Sequence, residues 1–215
     1  MNQSKQLVPN AHSSIYRLIA SLFARELTEE NIIGFQKGPG FKLLEALETI
    51  VVYAPVTTYL KKYFAKIEDP KKAVLNLAES YAWNFHGAGG PHASSLYASV
   101  YLSGKGSTHQ KIERELHQIL MEHGLSSVNY ETEPCDHLAV ILEFISWLSK
   151  QEGSDEQQNT WQNTQKLIIE KFLLTWLSKF VTQCKHGDRF GFYSVLAEKT
   201  LVLVETDFLS VLPQK

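Results

Sequence analysis

Cysteine is scarce in this sequence: only Cys135 and Cys184 occur among its 215 residues. Two cysteines are too few for the disulfide framework of a small secreted domain. They also lie too far apart for a Cys-x-x-Cys metal or redox motif. A reducing compartment is therefore the simplest setting for the chain.

Long apolar runs are missing as well. The longest, residues 50–56, includes Pro55 and is far shorter than the roughly 20 residues that a membrane-spanning helix needs. Residues 1–10 lack the apolar segment of a signal peptide. We therefore expect a cytoplasmic protein without a membrane span.

The sequence also lacks an excess of one charge and the spacing of a metal site. Its 21 basic and 23 acidic residues give a formal charge of −2, which argues against a strongly basic nucleic-acid surface. None of the eight histidines lies four residues from another, as a His-x-x-x-His ligand pair requires. We predict neither a nucleic-acid partner nor a metal site.

Apolar residues at helical spacing are abundant. They make up 44% of the chain, which is enough for a sizeable core. Ile15, Leu18 and Leu22 recur three or four residues apart behind the cap candidate Ser13, and Thr28 fits the start of a second helix. Because nothing in the sequence resembles a β-rich or βαβ pattern, it predicts an all-α, multi-helix bundle of nine or ten helices.

A break divides the predicted helices into two parts. Gly124 is placed to end a helix that starts near Thr108, and a polar stretch follows. We predict an N-terminal helical domain over 1–124, a hinge over 125–132 and a C-terminal helical domain over 133–215. In the last of these, residues 153–159 are predicted as a loop, and apolar positions between 167 and 180 predict a single helix.

The run Glu133–Ala139 places Asp136 and His137 where a polar stretch becomes an apolar helix. Pro134 is predicted in the first helical turn, where a missing N–H costs nothing. Neighbouring helical side chains point about 100° apart, so Asp136 and His137 do not form a triad-like pair. Acidic neighbours would raise the pKa of Cys135, which disfavours a thiolate nucleophile. We predict that the protein is not an enzyme.

Residues 104–108, Gly-Lys-Gly-Ser-Thr, partly resemble a phosphate-binding loop. Ser99 stands where such a loop needs its first glycine, and Gly106 separates Lys105 from the hydroxyl residue. A turn before a helix cap is the favoured interpretation. Weak GTP binding is the one cofactor contact left open.

Five aromatic residues flank the glycine-rich stretch 87–91. Core packing is the default for each of them, but together they could line an apolar groove that takes up a peptide. They are Tyr81, Trp83, Phe85, Tyr97 and Tyr101.

Four stretches, in the same order along the chain, resemble the TorD family of molybdoenzyme chaperones. The most specific is Glu133–Ala139, which matches the family pattern Glu-Pro-x-Asp-His-Leu-Ala. The others are Ser21–Leu27, Leu96–Tyr101, and Phe190–Tyr193 followed by Leu201–Glu205. The resemblance implies an all-α fold in two parts joined by a hinge, which also permits a homodimer by domain exchange.

The resemblance further implies a function. Such a chaperone binds the twin-arginine leader and the apo form of an exported molybdoenzyme, here a trimethylamine N-oxide reductase, assists insertion of the molybdenum cofactor and prevents premature export. Two other classes stay open, namely a small GTP hydrolase using Lys105 and a helical adaptor for a folded partner. An adaptor would ignore an isolated leader peptide.

The resemblance also implies which residues bind the leader. Asp136 and His137 would contact it, with Glu133 and Pro134 shaping the site. On this basis Asp136→Ala should weaken leader binding and leave stability nearly unchanged. The remaining candidates come from the central element and the aromatic stretch before it: Tyr97, Ser99, Tyr101, Trp83 and Phe85.

Overall fold

The computed structural model describes residues 10–102, 108–125 and 133–211. Within them the chain forms eleven α-helices and a 3-10 turn at Gly90–His92, with no strand, so the all-α prediction is confirmed. The helices are α1 Ala11–Ala24, α2 Glu29–Lys37, α3 Pro39–Glu48, α4 Ala54–Ala65, α5 Pro70–Phe85, α6 Ala98–Leu102, α7 Thr108–Glu122, α8 Leu138–Leu148, α9 Asp155–Phe172, α10 Leu177–Gly187 and α11 Phe192–Val211.

Local capping chemistry starts several of these helices. Thr28 accepts a hydrogen bond from the backbone N–H of Asn31, and the Asn31 side chain accepts one in return, which forms a capping box for α2. Asp69 caps α5 by accepting a hydrogen bond from the backbone N–H of Lys72, and it is followed by proline at the first helical position. Gly124 adopts φ 73° just after α7, the left-handed conformation that favours glycine at a helix end.

The helices α1 and α8 pack against each other at the centre of the core. Nine of the eleven residues of α8 are buried, as expected for a helix that is apolar on every side. Ser13, predicted as the cap of α1, instead lies inside that helix, and its Oγ is 2.8 Å from Oγ of Ser146. Two small hydroxyl side chains let the backbones approach closely while satisfying each other's polar groups.

Of the predicted hinge at 125–132, residues 126–132 lie outside the described part of the chain, as do residues 103–107, which include Lys105. The buried core contains residues from both sides of the hinge, and α1 and α8 face each other across it. The division into domains 1–124 and 133–215 stays a prediction.

The C-terminal part holds one helix more than its sequence pattern predicted. The helix expected between 167 and 180 is divided, because α9 ends at Phe172 and α10 begins at Leu177. The indole N–H of the fully buried Trp176 donates to the Phe172 carbonyl at 2.6 Å, which satisfies a group that the helix end leaves free. The loop predicted at 153–159 is also mostly helical, because Ser154 forms a capping box with Gln157.

No helix among the described residues is both long enough and apolar enough to cross a membrane.

Candidate functional site

The segment before α8 lies beside the segment before α6. Tyr97 and His137 pair as an isolated antiparallel β-bridge. The N–H of Ala98 donates to the Asp136 carbonyl at 3.0 Å, and the N–H of Leu138 donates to the Leu96 carbonyl at 2.7 Å. Two of the sequence motifs, Leu96–Tyr101 and Glu133–Ala139, therefore form one structural unit.

Asp136 is buried in this unit, with 3% of its surface exposed. Its Oδ2 accepts a hydrogen bond from the backbone N–H of Ser99 at 2.9 Å. Ser99 is the second residue of α6, so the carboxylate satisfies a free donor and places negative charge at the positive end of that helix. Asp136 precedes α8 and caps α6, so it lies outside the helix whose first turn the sequence placed at Pro134.

His137 is the N-cap of α8 and is 5% exposed. Its Nδ1 accepts a hydrogen bond from the N–H of Ala139 at 3.2 Å, and its ring packs edge-on against Tyr97 at 5.1 Å between centroids. Burial lowers the pKa of His137, and the charges of Glu133 and Asp136 oppose this in part. Pro134 is exposed and lies outside α8, so its predicted place in the first turn is wrong.

The accessible part of the unit is acidic. Glu133 and Tyr97 are both partly exposed, and the Tyr97 hydroxyl donates a short hydrogen bond to Oε1 of Glu133. Burial, together with the negative charges of Glu133 and Glu26, raises the pKa of Tyr81 to about 12. We call Glu133 and Tyr97 the acidic corner.

The pKa of Tyr97 is also raised. Burial is the first cause, and the hydrogen bond to Glu133 and its negative charge add to it. The phenol therefore stays protonated at neutral pH and acts as a hydrogen-bond donor to the carboxylate. A carboxylate held by one donor keeps lone pairs for a second, such as a guanidinium N–H.

Three other candidates are held by packing elsewhere. Tyr101 stacks on Trp176 at 5.3 Å between ring centroids, and its hydroxyl accepts from the N–H of Ser95 at 2.9 Å. Phe85 packs against Tyr193 within the core at 5.1 Å. Trp83 lies apart, with its ring covered by the guanidinium of Arg189 at 3.4 Å.

The structure therefore brings five of the nine predicted site residues together: Glu133, Asp136, His137, Tyr97 and Ser99. Pro134 adjoins them in sequence, whereas Trp83, Phe85 and Tyr101 make separate contacts. Packing against the core explains the positions of Phe85 and Tyr101. Core packing was one of the two interpretations given for the five aromatic residues, and a peptide-binding groove was the other.

Sequence analysis missed a second polar cluster. His12 lies between Ser149 and Asp207, with Nδ1 2.7 Å from Ser149 Oγ and Nε2 2.9 Å from the Asp207 carboxylate. Tyr16 donates to the same carboxylate at 2.9 Å. His12, Ser149 and Asp207 line a cavity of about 630 Å³ beside α9. They come from three distant parts of the chain, so no local motif could have indicated them.

The order Ser–His–Asp resembles a hydrolytic triad, but the surroundings disagree with that chemistry. Ser149 is the C-cap of α8, and its Oγ donates to the Ile145 carbonyl at 2.7 Å. An oxyanion needs N–H donors, whereas a helix C-terminus presents carbonyl oxygens. The cluster is better explained as a polar clamp joining α1, α8 and α11. Among the residues described here, no group of three His, Cys, Asp or Glu side chains could hold a metal ion.

Comparison with known proteins agrees with the sequence resemblance. The sequence model of a family described as nitrate reductase delta subunit matches residues 51–182. A protein from Escherichia coli named Chaperone protein TorD is 32% identical over 198 residues, which cover 90% of this chain and 92% of that protein. Proteins of the same name from Photobacterium profundum and Vibrio vulnificus are each 28% identical, covering 91% and 97% of this chain and 91% and 99% of their own lengths. These relatives are chaperones, which confirms the prediction that the protein is not an enzyme. We conclude that this chain belongs to the TorD family of chaperones.

Proposed function

We propose that this protein is a cytoplasmic chaperone for an exported molybdoenzyme, with trimethylamine N-oxide reductase as its client. It binds the twin-arginine leader and the apo form of the precursor, assists insertion of the molybdenum cofactor and prevents export before that step. The observation that carries the proposal is the similarity to TorD chaperones over 90% or more of the chain. The Glu133–Ala139 motif lies within the matched region.

The leader would dock at the acidic corner. A twin-arginine leader carries two guanidinium groups followed by an apolar run. Glu133 is partly exposed and can accept guanidinium hydrogen bonds, while the buried Asp136 and His137 position the segment that carries it. Val100, which lies one turn after Tyr97 on α6, is 51% exposed and offers apolar surface close to the same corner.

We expect the leader to bind with moderate affinity, because two opposing contributions nearly balance. Burying the apolar run contributes favourably, but a leader that is disordered when free loses conformational entropy on binding. A dissociation constant in the micromolar range, equivalent to about −8 kcal/mol, is consistent with that balance.

Calorimetry with synthetic leaders tests the proposal. The full-length chain is titrated with twin-arginine leaders from several molybdoenzymes and with Lys-Lys versions of each. We expect the Arg-Arg leaders to bind and the Lys-Lys versions to bind more weakly, because lysine lacks the two-pronged geometry of guanidinium. Binding of no Arg-Arg leader at all would refute leader recognition, and an adaptor for folded proteins would then take its place.

A substitution at the corner tests where the leader binds. Glu133→Gln removes a charged acceptor from a partly exposed site, and we expect affinity to fall by about tenfold, the equivalent of about 1.4 kcal/mol. Glu170→Gln is the matched control, since Glu170 is exposed on α9. Unchanged affinity in Glu133→Gln, with leaders that still bind the parent chain, would move the site away from the acidic corner but leave the function intact.

Two further parts of the proposal concern ligands and assembly. The protein is expected to work without a resident cofactor, and weak GTP contact at Lys105 stays a prediction that GTP titration of Lys105→Ala can test. Domain exchange predicts a dimer, which size-exclusion chromatography with light scattering would detect.

A further inference from the structure

A second surface lies away from the acidic corner, in a groove between α4 and α11. Its volume is about 460 Å³, and its apolar lining comes from Val51, Pro55 and Tyr59. Val51 is 86% exposed, the largest exposed fraction of any large apolar side chain in the described part of the chain. Lys62 and Lys199 line the same groove.

The floor of the groove is firmly held. The ring of Tyr59 stacks on Phe192 with centroids 6.2 Å apart, and its hydroxyl donates to the Phe192 carbonyl at 2.9 Å. This hydroxyl ties α4 to the first residue of α11. A floor fixed in this way loses little conformational entropy when a partner binds.

The charge on the α4 side of the groove is positive. Glu48 accepts hydrogen bonds from Thr58, which lines the groove, and from Lys61, with Nζ of Lys61 at 2.5 Å. One lysine is therefore matched by Glu48, while Lys62 is exposed one residue further along.

The α11 side is also positive. Glu198 lies 2.6 Å from Nζ of Lys185 but 3.5 Å from Nζ of Lys199, so Lys185 is its closer partner. Val202 follows Lys199 by one helical turn and is 40% exposed, which extends the apolar surface along the same face of α11. On the two sides of the groove, the four lysines Lys61, Lys62, Lys185 and Lys199 therefore share the two carboxylates of Glu48 and Glu198.

We infer that this groove binds an amphipathic segment of a partner protein whose apolar side chains are flanked by carboxylates. The apolar side chains cover Val51 and Pro55, and the carboxylates meet Lys62 and Lys199. A leader with paired arginines is repelled by the same lysines, so this surface takes a different segment from the acidic corner. The inference goes beyond leader binding and does not rest on it.

Two designed peptides test the inference on the full-length chain. Both are capped helical peptides with one leucine face; glutamates flank that face in one peptide and lysines in the other. We expect fluorescence anisotropy to show binding of the glutamate peptide only, and to show weaker binding as salt screens the charges.

Variants then locate the binding surface. Val51→Asp and Lys62→Glu should each weaken binding of the glutamate peptide by about tenfold, since one removes buried apolar contact and the other reverses a charge. Leu75→Asp is the matched control, because Leu75 is 71% exposed on α5 and does not line the groove. All three positions are exposed, so folding should be preserved, which circular dichroism checks.

Three results would overturn the inference. They are equal binding of the two peptides, absence of binding by the glutamate peptide, and a loss in Leu75→Asp as large as that in Val51→Asp. A change of oligomeric state in Val51→Asp without any effect on peptide binding would show instead that a second copy of the chain covers the groove.

Discussion

Replacing Asp136 should destabilise the fold, contrary to the expectation drawn from the sequence. The carboxylate is buried and accepts the N–H of Ser99, so Asp136→Ala leaves that donor without its partner. An unsatisfied buried donor costs about 1–3 kcal/mol. For a chain of this size, the melting temperature should fall by about 2–12 °C. Asp136→Asn keeps an acceptor oxygen and loses mainly the charge at the helix end, so about 0.3–1 kcal/mol is expected.

Urea unfolding followed by circular dichroism measures these costs, and calorimetry with a twin-arginine leader measures binding on the same samples. Glu133→Gln is the internal comparison, because its carboxylate is partly exposed and its loss should lower affinity with little change in stability. If Asp136→Ala unfolds at the same urea concentration as the parent chain while losing affinity, the carboxylate contacts the leader directly and the capping explanation is refuted.

Three further predictions concern polar groups away from the leader contact. Burial lowers the pKa of His137 in the folded protein, so the unfolded chain binds the proton of this imidazole more tightly. The free energy of unfolding should therefore fall as the pH drops below 6.5. His137→Gln should make this pH dependence weaker, whereas His117→Gln, at an exposed position, should leave it unchanged. Asp207→Ala leaves the buried hydroxyl of Tyr16 without its acceptor and should lower the free energy of unfolding by about 1–3 kcal/mol. A double-mutant cycle with Tyr16→Phe, measured by urea unfolding, should give a coupling energy of about 0.5–3 kcal/mol. Additive effects of the two substitutions would contradict an interaction between Tyr16 and Asp207. Ser154→Ala removes the cap of α9 and should lower the free energy of unfolding by about 0.5–2 kcal/mol, whereas an unchanged value would mean that the cap contributes nothing.

Most of the fold could be predicted from local sequence signals. Thr28 before two glutamates and Asp69 before a proline are signals that act within one helical turn, and both start a helix in the structure. The division between α9 and α10 was missed because it depends on Trp176, whose indole closes the end of α9 only once the ring is buried in the core. Periodicity alone does not register such a contact.

The candidate site was predicted as a set of residues but not as a geometry. The sequence shows Asp136 next to His137 and includes Ser99 among the candidates, but it does not show that Asp136 bonds Ser99, because these two residues lie 37 positions apart. For the same reason the cluster around His12 was missed, because its partner Ser149 lies at the end of α8 and its partner Asp207 lies in α11. Pairing between distant segments depends on how the helices pack, which one sequence does not specify.

The location of Asp136 changes what the motif Glu-Pro-x-Asp-His means physically. Its two most specific residues face inward, where one caps α6 and the other caps α8, so they fix the relative position of two helix starts. Glu133, at the edge of the motif, is its partly exposed acidic residue. Because a cap displaced at either helix start would also move Glu133, substitutions at Asp136 should weaken leader binding indirectly. Affinity alone therefore cannot identify the contact residue, and only affinity measured together with stability separates a residue that binds from one that positions.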